Sequence, residues 1–342
     1  WIFDVGAGFE SPEHERNDVG SLQTADGVMG FGALAYRQTR PGRFYFWQAG
    51  LSANVEKNYA GELQRQRMGA EAQVTWRNYW TTFVFMELQG AAQDQRLTRG
   101  GPTMGKPPGW SVTLSQGNAF QSPTRVFGRV SLSGDEDGSS SVNVSGTVAL
   151  QASPRISLSL NPRYSRSTTA RQYAETRDGG RPITYSQRYI FAAVDQDTLA
   201  TTFRASLILK PDLILDVYTE PFAASGRYRD YGELLAPGSR KLRTYGQAGT
   251  SVVVNPDGSR TVVDDADSFV IANNDFLSLS FRSNIVLRWE YRPGSTFYAV
   301  WQQDRSDSPA YARAGFSDLV DSRSAPGDNI FALKASFFWG GR

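Results

Sequence analysis

The chain holds one histidine, His14, between Glu13 and Glu15 in the stretch GAGFESPEHE (6–15). An imidazole on the rim of a site can take a proton from a serine, which would make His14 the general base of a hydrolase. Two flanking carboxylates in a polar loop describe a solvated side chain better. Asp264, Asp265 and Asp267 supply hard oxygens of the kind Ca²⁺ takes, without the spacing of an EF-hand. The segment LTRGGPTMGKPPGW (97–110) has glycines and a lysine, but neither the G-x-x-x-x-G-K-[ST] spacing nor a following helix. There is no cysteine, so thiolate metal sites, Cys nucleophiles and disulfides are excluded. The reading is a non-enzyme with no cofactor, in which the three aspartates are the weak metal candidate.

Charge is distributed more regularly than these isolated groups. Lys+Arg number 36 against 34 Asp+Glu, and a net charge of +2 argues against nucleic acid held by bulk charge. By alternation along extended segments, one face collects Arg77, Arg129, Arg155, Arg163, Arg204, Arg282, Arg288 and Lys334 together with Glu87, Asp216, Glu220 and Glu290. Enclosed charges of both signs either pair and stiffen a filled interior or line a polar passage with a weak anion preference. Both readings stay open at this level.

The elements that position these residues read as strands. Helical periodicity is nearly absent, whereas period-two alternation recurs throughout: Val142, Val144, Val148 and Leu150 alternate with Asn143, Ser145, Thr147 and Gln151. Strands are expected at about 1–9, 27–37, 44–56, 64–77, 80–93, 109–117, 125–133, 141–151, 155–166, 187–210, 212–226, 275–291, 295–305 and 329–339. The stretch 187–210 keeps phase through DQD (195–197) and is read as one strand. Tight turns such as RPGR (40–43), SPTR (122–125) and RPGS (292–295) alternate with longer polar loops, the largest being 228–274. In that loop NPDG (255–258) reads as a hairpin turn, and the whole could cap a pore, constrict it or dock a partner.

Short turns alternating with long loops are the layout of a transmembrane up-and-down antiparallel β-barrel of about fourteen strands, with periplasmic turns and extracellular loops. A single domain, 1–342, is expected. No apolar stretch of about 18 residues exists for a spanning helix. No signal peptide opens the chain, which starts on Trp1 inside a strand and so reads as a mature or trimmed fragment. The final stripe of NIFALKASFFW (329–339) is expected to face lipid, with the last strand pairing with the first. Trp47, Trp76, Trp80, Trp289, Tyr291, Trp301 and Trp339 are expected at the membrane interfaces. An aromatic near the end of a terminal strand resembles the assembly signal of Gram-negative outer-membrane proteins, although Gly340, Gly341 and Arg342 follow it here. A soluble sandwich or propeller fits strands of this length poorly.

Four patches, RGGP (99–102), YTEPFAASGRY (218–228), NNDF (273–276) and RWEYRPGST (288–296), resemble the C-terminal region of the DUF5916 family. In RWEYRPGST, alternation puts Trp289 and Tyr291 toward lipid and Arg288 and Glu290 toward the interior, before a tight turn at Arg292–Gly294. The resemblance implies an outer-membrane barrel, usually preceded by a carbohydrate-binding family-9-like domain, and carries no catalytic residues. The expected function is passive or partner-gated passage of small polar solutes, with saccharides suggested by that companion domain. The alternative is a plugged barrel anchoring a periplasmic domain or a surface assembly; a hydrolase acting through His14 ranks behind both. Expected partners are the lipid bilayer of the bacterial outer membrane, its assembly machinery through the C-terminal strand, and a periplasmic or surface protein.

Overall fold

Alternation of apolar and polar residues becomes one antiparallel meander in the computed structural model, which describes residues 1–12, 26–119, 121–247, 249–265 and 267–339. In chain order the elements are β1 (Ile2–Glu10), β2 (Gly27–Gln38), β3 (Phe46–Lys57), β4 (Leu63–Thr75), β5 (Thr81–Gln89), β6 (Ala92–Asp94), β7 (Met104–Lys106) and β8 (Gly109–Gly117). Then come β9 (Thr124–Asp135), β10 (Ser140–Ser153), β11 (Ile156–Asp178), β12 (Gln187–Lys210), β13 (Leu213–Leu234) and β14 (Leu242–Thr244). The chain continues through β15 (Thr250–Val254), β16 (Arg260–Asp264), β17 (Asp267–Ile271), β18 (Phe276–Arg292), β19 (Ser295–Asp307), α1 (Phe316–Asp321) and β20 (Gly327–Ser336).

Fourteen of these strands pair in sequence order, β1-β2-β3-β4-β5-β8-β9-β10-β11-β12-β13-β18-β19-β20, and β14 adds to the upper end of β13. The expected strand number is thus met, and 187–210 is one unbroken strand. Among the described residues no ladder joins β20 to β1, so the expected pairing of last strand with first is not present.

Register sorts side chains onto two faces. On one, neighbouring partners run Phe3, Leu34, Leu51, Ala70, Met86, Val112, Leu132, Val142. On the other they run Glu87, Ser111, Ser133, Ser141, Ser167, Gln196. Period two leaves no other outcome once the ladders are in phase. We call these the apolar face and the hydroxyl face.

Two expected loops are in fact structured. β11 runs on to Asp178 and β13 to Leu234, well past the expected ends at 166 and 226. Register shifts at Thr169/Gln172 and Tyr173/Glu175 in β11 break its alternation, as does Asp230 in the left-handed region (φ 52°) in β13. A strand that changes phase hides from a period-two search. Between β13 and β18 the loop 235–275 carries a small sheet, β15-β16-β17. The expected turn at Asn255–Gly258 does join β15 to β16, with the Asn255 N–H donating to the Ser259 carbonyl at 2.8 Å and Gly258 at φ +80°.

Dense packing is confined to the loop end. Ile190, Ala192, Tyr231, Tyr245, Val262 and Ile271 bury the small sheet against β12 and β13. Met104, Tyr189, Phe191 and Leu234 bury the β6–β7 hairpin against the same extension. Ala314 and Leu319 of the α1 segment cover Ala223, Leu277 and Leu279 on the apolar face. Truncating Leu319 to Ala removes the one large α1 side chain in that contact, at a cost of roughly 2–3 kcal/mol for a core leucine near the surface. Trypsin should then cut the 308–326 segment at Arg313 or Arg323 faster, while the strands stay protected.

Candidate functional site

The hydroxyl face is the first of two clusters with chemistry. Ser and Thr alternate there with Val and Leu along much of β8 to β11, so most inward positions add a hydroxyl to one surface, interrupted by residues such as Phe127, Arg129 and Arg163. Those hydroxyls bond across strands: Thr113 Oγ1 to Ser131 Oγ at 2.9 Å, Ser133 Oγ to Ser141 Oγ at 2.8 Å. Ser165 Oγ donates to Asn143 Oδ1 at 2.7 Å, and Asn143 Nδ2 donates to Ser141 Oγ at 3.2 Å. A shallow cleft of about 280 Å³ runs over this surface, lined by Glu87, Ser111, Ser133, Ser141 and Ser167 among others. Such a surface offers donors and acceptors at close spacing, with Glu87 and Asp135 as its carboxylates, which suits a hydrated polyol.

Charges flank it. Glu87 lies 3.6 Å from Arg67. Arg129 and Arg163 are both register partners of Ser145, and among the described residues neither has a carboxylate within ion-pair distance. Nearer the turns, the Arg204 guanidinium stacks 5.2 Å from the Tyr218 ring, and Tyr218 donates a short hydrogen bond to Glu220. Glu220, Arg282 and Asp304 are register partners in turn, with Arg282 and Asp304 3.7 Å apart. Asp216 sits opposite Ser206, and Arg288, Tyr298 and Lys334 form a further row on this face.

Three residues expected on this face do other work. Arg77 lies in the turn after β4 and donates to the Gly42 carbonyl of the neighbouring turn. Arg155 occupies the turn between β10 and β11, where its N–H donates to Ser153 Oγ at 3.2 Å. Glu290 accepts the Gly294 N–H at 2.9 Å and caps the β18–β19 turn, so it is not the partner of Arg288. A tight turn needs local acceptors and donors, and the nearest charged side chains supply them.

The aromatics gather mainly at the turn end. Trp1 meets Tyr36 and Tyr36 meets Trp47, with ring centroids 5.2 and 5.3 Å apart. Phe44 meets Trp76 at 5.3 Å, and the Trp76 indole donates to Thr82 Oγ1. Trp80 closes the turn that begins at Trp76. Trp289, Tyr291 and Phe337 continue the belt at 5.9 and 6.1 Å, and Trp339 is exposed beyond it. Trp301 stands apart from the turns, stacked on Phe331 at 5.7 Å.

The second cluster sits at the loop end, where β12, β13 and β14 meet the small sheet. Arg188 Nη1 donates to Glu233 Oε2 at 3.0 Å and to Asp264 Oδ2 at 2.7 Å, and its Nη2 donates to Asp267 Oδ2 at 3.2 Å. Arg243 grips the same two acids, reaching Asp264 Oδ1 at 2.7 Å and Glu233 Oε1 at 3.2 Å. Tyr245 donates to Glu233 Oε2 at 3.2 Å. The hydrogen bonds from Arg243, joined by those from Arg188, hold the Asp264 carboxyl below the usual carboxylate range. Burial, with the adjacent Glu233 charge, pushes the Tyr245 phenol well up. A cleft of about 610 Å³ opens beside these groups, with Arg181 and Asp265 on its wall.

Calcium does not fit this arrangement. A guanidinium occupies the space between Asp264 and Asp267, and Asp265 points from a left-handed residue (φ 53°) toward the cleft. Among the described residues no group of three or more His, Cys, Asp or Glu is placed to hold a metal. Asp264 and Asp267 belong to a latch that fastens the small sheet over the extended strands. Sequence reading missed Arg188, Glu233 and Arg243 because their partners lie 10 to 79 residues away. His14 lies outside the described residues.

The family model described as a domain of unknown function (DUF5916) matches residues 1–339. The chain belongs to that family. No curated protein and no solved structure matches it.

Asp264→Asn would remove the acceptor that both arginines share and leave two buried cations short of a partner, a change worth about 3–5 kcal/mol for buried pairs. Hydrogen exchange at amides 250–271 should accelerate strongly. Because the folded Asp264 titrates below its unfolded value, its contribution is complete above the ordinary carboxylate range and is lost as pH falls through the lowered value. Acid should therefore loosen the small sheet of the unmodified protein, while the Asn variant, already loose, should show little further pH dependence there.

Proposed function

We propose that the sheet is the wall of a β-barrel in the bacterial outer membrane and that its hydroxyl face lines a passage for small polar solutes. The observation that carries this reading is the two-faced register, apolar on one side and hydroxyl-rich on the other, sustained across consecutive strands with short turns at one end and long loops at the other. No second layer covers most of the apolar face: Leu51 is 66% exposed and Met68 63%. In water an apolar surface of that extent drives aggregation. Against acyl chains it is the stable arrangement, since antiparallel ladders satisfy the backbone without solvent. The aromatic belt at the turn end is what a membrane–water boundary selects.

Solute chemistry follows from the hydroxyl face. Side chains that donate and accept in rows match the hydroxyls of saccharides and other polyols. Arg129 and Arg163, without acids at hand, leave a positive bias in the middle of the passage, which favours anions over cations. The final strand, with its aromatic stripe, serves as the element that the outer-membrane assembly machinery engages. A second reading draws on the latch and the packed loop end: the loops seal the mouth, and the barrel anchors a periplasmic domain or surface assembly.

Current through the purified protein in a planar bilayer separates these readings. Steady current supports the passage. Current seen only in Asp264→Asn makes the latch a gate, and silence from both supports the anchor. Replacing Arg129 and Arg163 by Glu should turn anion preference into cation preference at unchanged stability of insertion. Val144→Arg, on the apolar face, should impair assembly at a cost of about 2–4 kcal/mol near the bilayer midplane. Ser145→Arg, one residue along on the hydroxyl face, should be mild in the same heat-modifiability assay; equal effects would refute the assignment of faces.

A further inference from the structure

Among the described residues, the outer edges of β1 and β20, the two ends of the meander, pair with no other strand. Exposure reports this directly: Phe3 and Leu333 on the apolar face are 79% and 75% exposed, against 38% and 40% for Leu132 and Val142 at mid-sheet. Edges of this kind do not persist in hydrocarbon, because each unpaired N–H and C=O there costs several kcal/mol. Direction of travel allows the two edges to pair with each other. An even number of antiparallel strands leaves β1 and β20 running oppositely, so they can form one more antiparallel ladder, whereas a single inserted strand would run parallel to one neighbour. Asp4 and Lys334 carry opposite charges on the hydroxyl-face side of the two edges. The ladder they could form is short, since β1 has 9 residues and β20 has 10, against 23, 24 and 22 in β11, β12 and β13.

The inward surface beside these edges carries apolar side chains among charged ones such as Asp4 and Lys334. Serines, threonines and asparagine fill the rows on β8 to β11, which lie farthest from the edges in strand order. Beside the edges the same face carries Met29, Phe31, Val300 and Ile330. Phe31 lies flat over Gly6 of β1, where a Cβ would have no room, and so presents an apolar platform at the margin itself. A passage for purely hydrated solutes has no use for apolar side chains placed next to the two unpaired edges of the wall.

We propose that the β1–β20 seam is a lateral gate through which a single-chain amphiphile, with a polyhydroxylated head and a hydrocarbon tail, passes between the interior and the bilayer. The head is held by the hydroxyl rows opposite, and the tail lies along Phe31, Met29 and Ile330 until it leaves between the strands. The closed ladder satisfies the edges when no amphiphile is in transit. This rests on the membrane-barrel reading above, and it adds a second solute class and a second route.

The test uses the full chain with Asp4→Cys and Lys334→Cys, and in parallel Asp4→Cys and Ala332→Cys, in vesicles of phosphatidylethanolamine and phosphatidylglycerol. No native cysteine interferes. The probe is a dodecyl glucoside carrying a diazirine in its tail, read out by mass spectrometry of labelled peptides. In the reduced protein light should attach the probe to Phe31, Met29 or Ile330. Oxidation should abolish that label and leave potassium chloride conductance unchanged. Equal labelling before and after oxidation overturns the gate, as does label confined to outward residues such as Phe3 and Leu333. Failure of both pairs to oxidise overturns it too, because strands that never meet cannot open and close. Inward labelling that oxidation abolishes, in a protein that never conducts, counts against the polar passage alone and leaves the gate standing.

Discussion

Pairing between strands adjacent in sequence is the constraint on which everything else in this chain depends. Each ladder of the wall joins neighbours separated by one turn or loop, so every backbone donor inside the sheet is satisfied locally. Side chains contribute little to holding the wall together: along β9 and β10 most are exposed or only partly covered. Packing instead acts through register. A slip of one residue in any hairpin would carry Ser133 and Ser141 to the apolar side and Leu132 and Val142 to the hydroxyl side.

The loop end follows different physics. There the chain builds small water-excluding cores, with Phe191, Ile190, Met104 and Val262 almost wholly buried. Arg188 and Arg243, both well covered, share Glu233 and Asp264 in a network that is costly to bury and costly to break. Such a cluster stabilises little in net terms but discriminates sharply, because only one docking of the small sheet brings both acids between both arginines. The wall and its loop end thus differ in how they are held: one part lacks a core and rests on its ladders, the other has small cores of its own.

Much of the wall was legible because period two is a strong signal where it is unbroken. Val142 to Leu150 and Ile156 to Leu160 alternate without a fault, and their strands stand where expected. The upper halves of β11 and β13 were not legible. TTARQYAETRD is polar throughout and passes two register shifts, so no face can be read from it. Turn chemistry was legible at Asn255–Gly258 and misleading at Arg77, Arg155 and Glu290. Alternation predicts a direction for each of these side chains, yet Arg77 reaches a turn carbonyl, Glu290 accepts a turn N–H, and Arg155 lies in the turn itself, where its backbone N–H bonds a local hydroxyl. The latch was illegible in principle, since three isolated aspartates look alike whether a cation or a guanidinium will face them.

The distribution of charge bears on how such a wall could be selective without a narrow filter. Along one row acids and a base stand in register, as Glu220, Arg282 and Asp304 do, and partly cancel. Arg129 and Arg163 flank Ser145 with, among the described residues, no carboxylate within ion-pair distance, and the neighbouring rows are mainly hydroxyls. A cation approaching those arginines meets a barrier that hydroxyl dipoles can lower only by turning their oxygens toward it. That would break bonds such as Ser133–Ser141 and Ser165–Asn143, which are already made. An anion or a neutral polyol can accept from the guanidinium groups while leaving those bonds intact. The hydrogen-bonded order of the hydroxyl face is therefore part of the electrostatics, because dipoles committed to one another screen less than free ones.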